Sequence, residues 1–483
     1  MFIGLDLGTS GVRALLVGEN GDVVASAESA TPVSHPHPGW SEQDPDDWIT
    51  ACRAALAELR QTNPDDIAKL RGISLSGQMH GATLIDKNGD VLRPCMLWND
   101  TRSFEQAARL DAIPAFREIS GNIVFPGFTA PKVQWVADNE PAIFARIAKV
   151  LLPKDYLSLW LTGNSVSDMS DSAGTAWMDV GARTWSGTLL ELCGMRRDQM
   201  PDLIEGTSVA GILRPDLAAD LGLPKGVTII AGGGDNAVAA CGVGALSEGD
   251  GFVSLGTSGV LLAARAGFAA SPESAVHTFC HAIPDAWYQM GVILAATDSL
   301  NWLSGIVGQS PAELTAELGE TISSPGTLHF LPYLSGERTP HNDSAIRGAF
   351  TGLDIATTRT DMTRAVLEGV SFALRDNLEA LKSTGANLTR VLAIGGGAQS
   401  RYWVELIATV LHLPVDLPEK GEFGAALGAA RLAICGITGA SPKDVMTKPA
   451  IAETIHPRAD LIAVYDASYH KFAALYPALK AIT

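Results

Sequence analysis

A chain of 483 residues is too long for one ordinary hydrophobic core, so two or more domains, or two large lobes, are expected. With 46% hydrophobic and 18% charged residues it has ample material for buried sheets, which excludes disorder over most of its length. The 53 acidic residues against 35 basic ones give a formal charge of −18, which disfavours extended nucleic-acid binding and leaves any small anionic ligand dependent on local donors.

The chain opens on an apolar stretch, residues 2–17, that carries Asp6 and Arg13 and has no basic leader, so no secretory signal is expected. Asp44-Pro45 is a helix cap followed by a first-turn proline, and Trp48, Ile49, Cys52, Leu56 and Leu59 then recur at helical spacing. Residues 72–75, 328–334 and 391–394 read as strands, and 360–381 as an amphipathic helix. The class is α/β with mixed sheets. Six scattered cysteines without a C-x-x-C pair suggest reduced thiols and a cytoplasmic location. No apolar run is long enough to span a membrane.

The 49 glycines exceed the usual share of about 7% and fall in short clusters between apolar runs. Leu7-Gly8-Thr9-Ser10-Gly11-Val12 recurs letter for letter as Leu255-Gly256-Thr257-Ser258-Gly259-Val260. Each copy lies between apolar runs and reads as a β-hairpin with a glycine-rich turn. Later in each half, residues 227–235 and 391–399 read as buried strand, glycine turn, then helix, the first helix covering 236–243. The repeated order predicts two lobes of related topology with a cleft between them and a boundary near residues 244–251.

Turns that expose consecutive backbone N–H groups bind anions, and the hydroxyls of Thr9, Ser10, Thr257 and Ser258 add donors. One copy alone reads better as a plain hairpin turn; matched copies on two lobes favour a grip on polyphosphate. Asp6, just before the first turn, suits Mg²⁺ held through water, or else simply caps the hairpin. Asp235, after an apolar run and three glycines, suits a base that takes a proton from an attacking hydroxyl, the alternative being a helix cap.

Gly395-x-Gly397-x-x-Ser400 nearly matches a dinucleotide fingerprint, with Asp416 about twenty residues on, but it lacks the last glycine. It would equally receive the adenosine and α-phosphate of ATP. No P-loop occurs. His277 and His281, flanking Cys280, resemble half a metal site but read as packed side chains, and the tract from His35 to Pro38 reads as a loop.

Taken together, Ile3 to Gly11, Ser76-Gly-Gln-Met-His-Gly81, Leu97-Trp-Asn-Asp100, Leu151 to Tyr156, Ser167 to Asp171, Gly232-Gly-Gly-Asp-Asn236, Ser254 to Gly259 and Phe330 to His341 resemble the FGGY carbohydrate kinases of the actin-like ATPase superfamily over nearly the whole chain. The resemblance implies two RNase H-like lobes of mixed sheets flanked by helices. Residues 1–245 would form a sugar-binding lobe with the catalytic aspartate, and 246–483 a nucleotide-binding lobe. Asp235 would be the general base, with Met79, His80 and Asn236 contacting the sugar. Gly256 and Thr257 would face the transferred phosphate together with the Thr9 turn. Gly396, Gly397 and Ser400 would line the nucleotide, Ser400 standing where several relatives have asparagine.

Met79 and His80 occupy the place where glycerol kinases use an Arg-Glu pair. The implied reaction is ATP- and Mg²⁺-dependent phosphorylation of the 5-hydroxyl of D-xylulose in pentose catabolism, with ribulose, fuculose, gluconate or a sugar alcohol as rival substrates. A non-sugar actin-like ATPase is the rival from another class. Gly127 stands where other members can place a larger polar side chain, which leaves one sugar contact to be found elsewhere. Relatives are often dimers, so a homodimer is compatible with the sequence.

Overall fold

The structure, a computed structural model, describes residues 1–419 and 424–482. Its first sheet grows from the opening hairpin. Strand β1 (Phe2–Leu7) pairs antiparallel with β2 (Gly11–Val17), which pairs antiparallel with β3 (Val23–Ala30). On its other side β1 runs parallel to β4 (Gly72–Gly77), and β4 parallel to a late strand, Thr228–Gly234, at whose far edge Val209–Ile212 lies antiparallel. In chain order those last two are β5 (Val209–Ile212) and β6 (Thr228–Gly234), and the sheet reads β5-β6-β4-β1-β2-β3.

Sequence alternation sends the two faces of this sheet to different partners. Ile3, Leu5, Leu7, Ala14 and Leu16 meet Trp48, Cys52, Leu56 and Leu59 of helix α1 (Pro45–Thr62). The α1 cap is as its sequence predicts, the Asp44 carboxylate accepting from the Asp46 N–H at 3.0 Å. Phe2, Leu15, Val17 and Ile230 face the opposite way.

The second sheet repeats the plan. Strand β7 (Gly251–Leu255) is antiparallel to β8 (Gly259–Arg265), which is antiparallel to Trp287–Ile293; β7 is also parallel to Val391–Ile394, which is parallel to Val415–Pro418. With β9 (His277–Cys280), β10 (Trp287–Ile293), β11 (Val391–Ile394), β12 (Val415–Pro418) and β13 (Ile451–Ile455), the order is β9-β10-β8-β7-β11-β12-β13. The run β10-β8-β7-β11-β12 matches β3-β2-β1-β4-β6 in direction and sequence order, and each ends on an antiparallel edge strand. The duplicated hairpin thus marks a duplicated topology.

Residues 328–334, expected as one strand, form only the three-residue strand His329–Leu331. Pro332 has no N–H for a ladder bond and ends it.

The helices after β6 and β12 cross between the sheets. Helix α2 (Asp235–Val243) leaves β6 and reaches β7 of the other sheet. Helix α3 (Ala425–Thr438), from the second half of the chain, lies on the first sheet, where Ala426, Leu427, Ala430, Ala433 and Ile434 cover Phe2, Leu15, Val17 and Ile230. Where the two helices cross, a Cβ on Gly428 would lie 1.8 Å from the Val238 carbonyl oxygen, so only glycine permits this approach. One apolar cluster containing Met79, Trp177, Val238, Phe279 and Tyr288 runs through both lobes.

Candidate active site

The cleft between the sheets collects most of the residues singled out from sequence. Asp6 is on central strand β1, paired in register with Arg13 on β2 and Ser76 on β4. Its Oδ1 is buried without a hydrogen-bond partner among the described residues, and burial raises its pKa above the usual carboxylate range, partly offset by Ser76 and Arg13. Asp235 is the first residue of α2, brought close by a shift of register between Ile230 and Gly233 where β6 meets β4. Gly232 makes that shift possible: its φ is +75° and a Cβ there would sit 1.7 Å from the Leu75 carbonyl oxygen.

Burial first, and the field of Asp6 second, push the Asp235 carboxyl up to about 7. Its Oδ1 accepts from the backbone N–H of Asn236 at 2.7 Å and from Asn236 Nδ2 at 2.8 Å. Those bonds orient the carboxylate and leave Oδ2 to accept from a ligand. The half-buried position of Asp235 keeps that oxygen within reach of the cleft. This is the arrangement a general base needs: a pKa near neutrality and one fixed acceptor.

Two residues after β4, Met79 packs below Gly234, and the Tyr288 hydroxyl meets its sulfur at 3.8 Å. His80 adopts the left-handed backbone region, φ +70°, which is uncommon for a residue with a Cβ. Three contacts hold it there. Its carbonyl accepts from Thr129 Oγ1 at 3.1 Å and from Lys132 Nζ at 3.0 Å, and its Nδ1 is 2.7 Å from the Gly174 carbonyl oxygen. Burial and the Lys132 charge lower His80 to about 3, so the imidazole is neutral; its Nδ1–H donates to the Gly174 carbonyl, and Nε2 is left as an acceptor. Lys132, itself fully buried, falls to about 7. Sequence reading passed over Lys132 and Thr129, although both lie in the segment 126–132 around Gly127, which it singled out.

Gly127 in the same segment is explained by close approach: a Cβ would stand 2.3 Å from the Trp98 carbonyl oxygen. No side chain fits there in this fold.

The two hairpin turns are built differently. At the first, the Thr9 hydroxyl donates to Gln78 Oε1 at 3.0 Å and accepts from Trp98 Nε1 at 3.0 Å, so it anchors the turn to the segments that carry Gln78 and Trp98. The Gly8 N–H donates to the Gly11 carbonyl at 2.9 Å and closes the turn, so donors to a ligand come from its other backbone N–H groups. At the second, the carbonyls of Gly256 and Thr257 accept from Thr297 and Ala296 at the start of helix α4 (Thr297–Val307), at 3.0 and 2.8 Å. Its carbonyls are turned away into the lobe, which leaves its N–H groups for an anion.

Gly396, Gly397 and Ser400 line an open cavity of about 540 Å³ with Thr297, Leu300 and Asn301. The expected strand-turn-helix is present there, β11 leading through the turn to a helix, Arg401–Leu411, whose cap is Ser400.

His277 and His281 lie on and just after β9 and do not form a metal site; among the described residues no group of three or more metal-ligating side chains occurs. Mg²⁺ in a phosphotransfer site needs only one or two carboxylates, the phosphates and water. Asp6 Oδ1, a buried carboxylate oxygen without a hydrogen-bond partner among the described residues, fits that role.

Beneath the site, a buried charge cluster joins three separate segments. Lys154 Nζ is 2.5 Å from Asp155 Oδ1 and 2.8 Å from Asp168 Oδ1, and 3.7 Å from Asp171 Oδ2. Asp168 Oδ2 also accepts from the Ser170 N–H and hydroxyl at 2.6 and 2.5 Å, and Ser170 Oγ in turn accepts from the Gly234 N–H at 3.1 Å. The cluster therefore braces the residue before Asp235. Burial raises the Asp171 carboxyl well above the ordinary range, and among the described residues neither of its oxygens has a hydrogen-bond partner. Asp168→Asn should cost about 3–5 kcal/mol, because it breaks a buried ion pair. Asp171→Asn alters a carboxyl that has only a 3.7 Å contact to Lys154 and no hydrogen bond among the described residues, and should cost less than about 1 kcal/mol. Thermal melting of the two variants side by side checks the contrast.

Models of the FGGY family of carbohydrate kinases match the chain, the N-terminal domain over residues 1–242 and the C-terminal domain over residues 251–437. The chain belongs to this family, and its fold is that of the actin-like ATPases. It is 45% identical to a xylulose kinase of Escherichia coli (strain K12) across 99% of both chains. Among solved structures it is similar to a xyloylose kinase from Brucella ovis, with 58% identity, TM-score 0.97 and coverage of 100% of this chain and 99% of that one. A xylulose kinase from Rhodospirillum rubrum is 32% identical over 99% of both chains with TM-score 0.91. Among the described residues no helix is long and apolar enough to cross a membrane.

Proposed function

We propose that this FGGY kinase transfers the γ-phosphoryl group of ATP to the 5-hydroxyl of D-xylulose, giving D-xylulose 5-phosphate and ADP. The observation that carries the reading is Asp235, a carboxylate with a pKa near 7 and one uncommitted oxygen, set at the cleft beside Met79 and His80. The full-length similarity to xylulose kinases supplies the substrate.

Asp235 Oδ2 accepts the proton of the 5-hydroxyl as its oxygen attacks phosphorus, while Asn236 holds the carboxylate in line. His80 and Met79 position the sugar. The N–H groups of the Gly256–Thr257 turn and of the Thr9 turn stabilise negative charge on the phosphoryl group, and Gly396, Gly397 and Ser400 hold the nucleotide. Mg²⁺, when bound near Asp6, neutralises phosphate charge. All six cysteines are buried and unpaired, which suits a reducing compartment, and we place the enzyme in the cytoplasm.

A panel of sugars in an ADP-release assay, with Asp235→Ala as control, tests the substrate. D-Xylulose should exceed ribulose, fuculose, gluconate and sugar alcohols by about tenfold or more in kcat/KM. A tenfold preference for another sugar overturns the assignment, and ATP turnover indifferent to every sugar would favour a non-sugar ATPase.

A further inference from the structure

Beside His80, across shared aromatic neighbours, a second imidazole and a guanidinium lie at the junction of the lobes. His277 on β9 is fully buried, with its ring stacked on Phe279 at 5.3 Å and packed against Phe125 at 5.0 Å and Phe128 at 5.8 Å. Neither of its ring nitrogens has a hydrogen-bond partner among the described residues. His80 shares its aromatic neighbours, stacking on Phe128 at 4.7 Å and lying 6.1 Å from Phe279.

Arg338 brings its guanidinium to 5.1 Å from the centre of the Phe125 ring, and no ion pair or side-chain hydrogen bond reaches it among the described residues. Its neighbour Glu337 does not neutralise it by contact: Glu337 Oε1 accepts from the backbone N–H groups of Leu294 and Arg338, and Oε2 has no partner.

Burial is the first cause, and the Arg338 charge a further one, of pKa values lowered well below the histidine range at His277 and to about 3 at His80. Both rings are therefore neutral, and both feel the same arginine.

Folding leaves buried donors and acceptors unmatched at a real cost. Both ring nitrogens of His277 are such atoms, and the half-buried Arg338 guanidinium adds donors beside the same Phe125 ring. A neutral imidazole can exchange hydrogen bonds with a hydroxyl, and a guanidinium only donates, as a carbonyl oxygen requires.

We infer that His277 and Arg338, both from the second lobe, bind the C1–C2 end of the open-chain ketose, Arg338 donating to the C2 carbonyl oxygen and His277 pairing with the C1 hydroxyl. The inference builds on the proposed kinase reaction. It places the reacting 5-hydroxyl at Asp235 and the ketone end against His80, His277 and Arg338, so that the sugar itself links the lobes. It also supplies the sugar contact that Gly127 cannot make.

Steady-state kinetics with D-xylulose and 1-deoxy-D-xylulose, which lacks only the C1 hydroxyl, test it. Arg338→Met should raise KM for D-xylulose by at least about tenfold, with KM for ATP changed less than about twofold, and Arg338→Lys should recover part of the loss. His277→Phe should bring the kcat/KM ratio of D-xylulose to its 1-deoxy analogue to within about twofold of unity, and His277→Gln should retain part of the wild-type ratio. Equal losses on both sugars in His277→Phe and His277→Gln, or an unchanged KM for D-xylulose in Arg338→Met, overturn the inference. Failure of the wild-type enzyme to phosphorylate D-xylulose would instead remove the functional reading beneath it.

Discussion

Asp235→Asn is expected to lower kcat by about 10²- to 10⁴-fold, with little change in KM for ATP, since a positioned base contributes on that scale. The wild-type pH profile should carry the same signature. The Asp235 carboxyl is raised to about 7 by burial and by Asp6, so below that pH the base is protonated. Below pH 7, kcat/KM should therefore climb about tenfold per pH unit and level off above it. Asp6→Asn removes the second cause of the shift and should move the ascending limb to lower pH. A limb that stays in place after Asp6→Asn would show that the field of Asp6 does not reach the base.

The same shift carries a stability consequence of opposite sense. A carboxyl with a folded pKa above its unfolded value of 3.8 binds its proton more tightly in the folded state. Its contribution is therefore most favourable at low pH and is lost as pH rises through about 4 to 7. Asp235→Asn should accordingly melt higher than wild type at pH 8 and no higher at pH 4. An enzyme inactivated yet stabilised is what a site held in an uncomfortable charge state predicts.

The second large effect is structural. Gly428→Ala puts a methyl group within 1.8 Å of the Val238 carbonyl oxygen at the crossing of α2 and α3, and backbone on both sides has no rotamer with which to yield. A loss of about 3 kcal/mol is expected, at the upper part of the range for overpacked sites. Gly305→Ala supplies the opposite sign. Gly305 lies inside α4, exposed, with nothing within 4 Å of a Cβ there, so alanine should stabilise by about 0.5–1 kcal/mol. Thermal melting of both variants separates a required approach from a merely tolerated glycine; similar melting of Gly428→Ala and wild type would contradict the crossing geometry.

Local signals were legible wherever backbone chemistry sets the outcome. The duplicated Leu-Gly-Thr-Ser-Gly-Val hairpins, the Asp44-Pro45 helix start and the strand-turn-helix at residues 391–411 are all present. So is Asp235 after its glycines, because glycines at a strand end followed by an acid leave few alternatives. What escaped the sequence is long-range. Lys154, Asp155, Asp168 and Asp171 come from two stretches whose meeting depends on the packing of the first lobe. Nothing local marks Lys132, and only the fold carries its ammonium to the His80 carbonyl. The apolar pattern of α3 is the same whichever sheet it covers, so its crossing to the first sheet left no local trace.

That crossing sets an order on synthesis. When residues 1–245 have emerged from the ribosome, the face of the first sheet formed by Phe2, Leu15, Val17 and Ile230 still lacks its cover, because residues 425–438 do not yet exist. At ordinary translation rates the delay is roughly 10–40 s, during which an apolar surface stands open beside a growing chain. The nascent enzyme thus passes through a window in which an apolar face of its first lobe awaits the distant helix that will cover it.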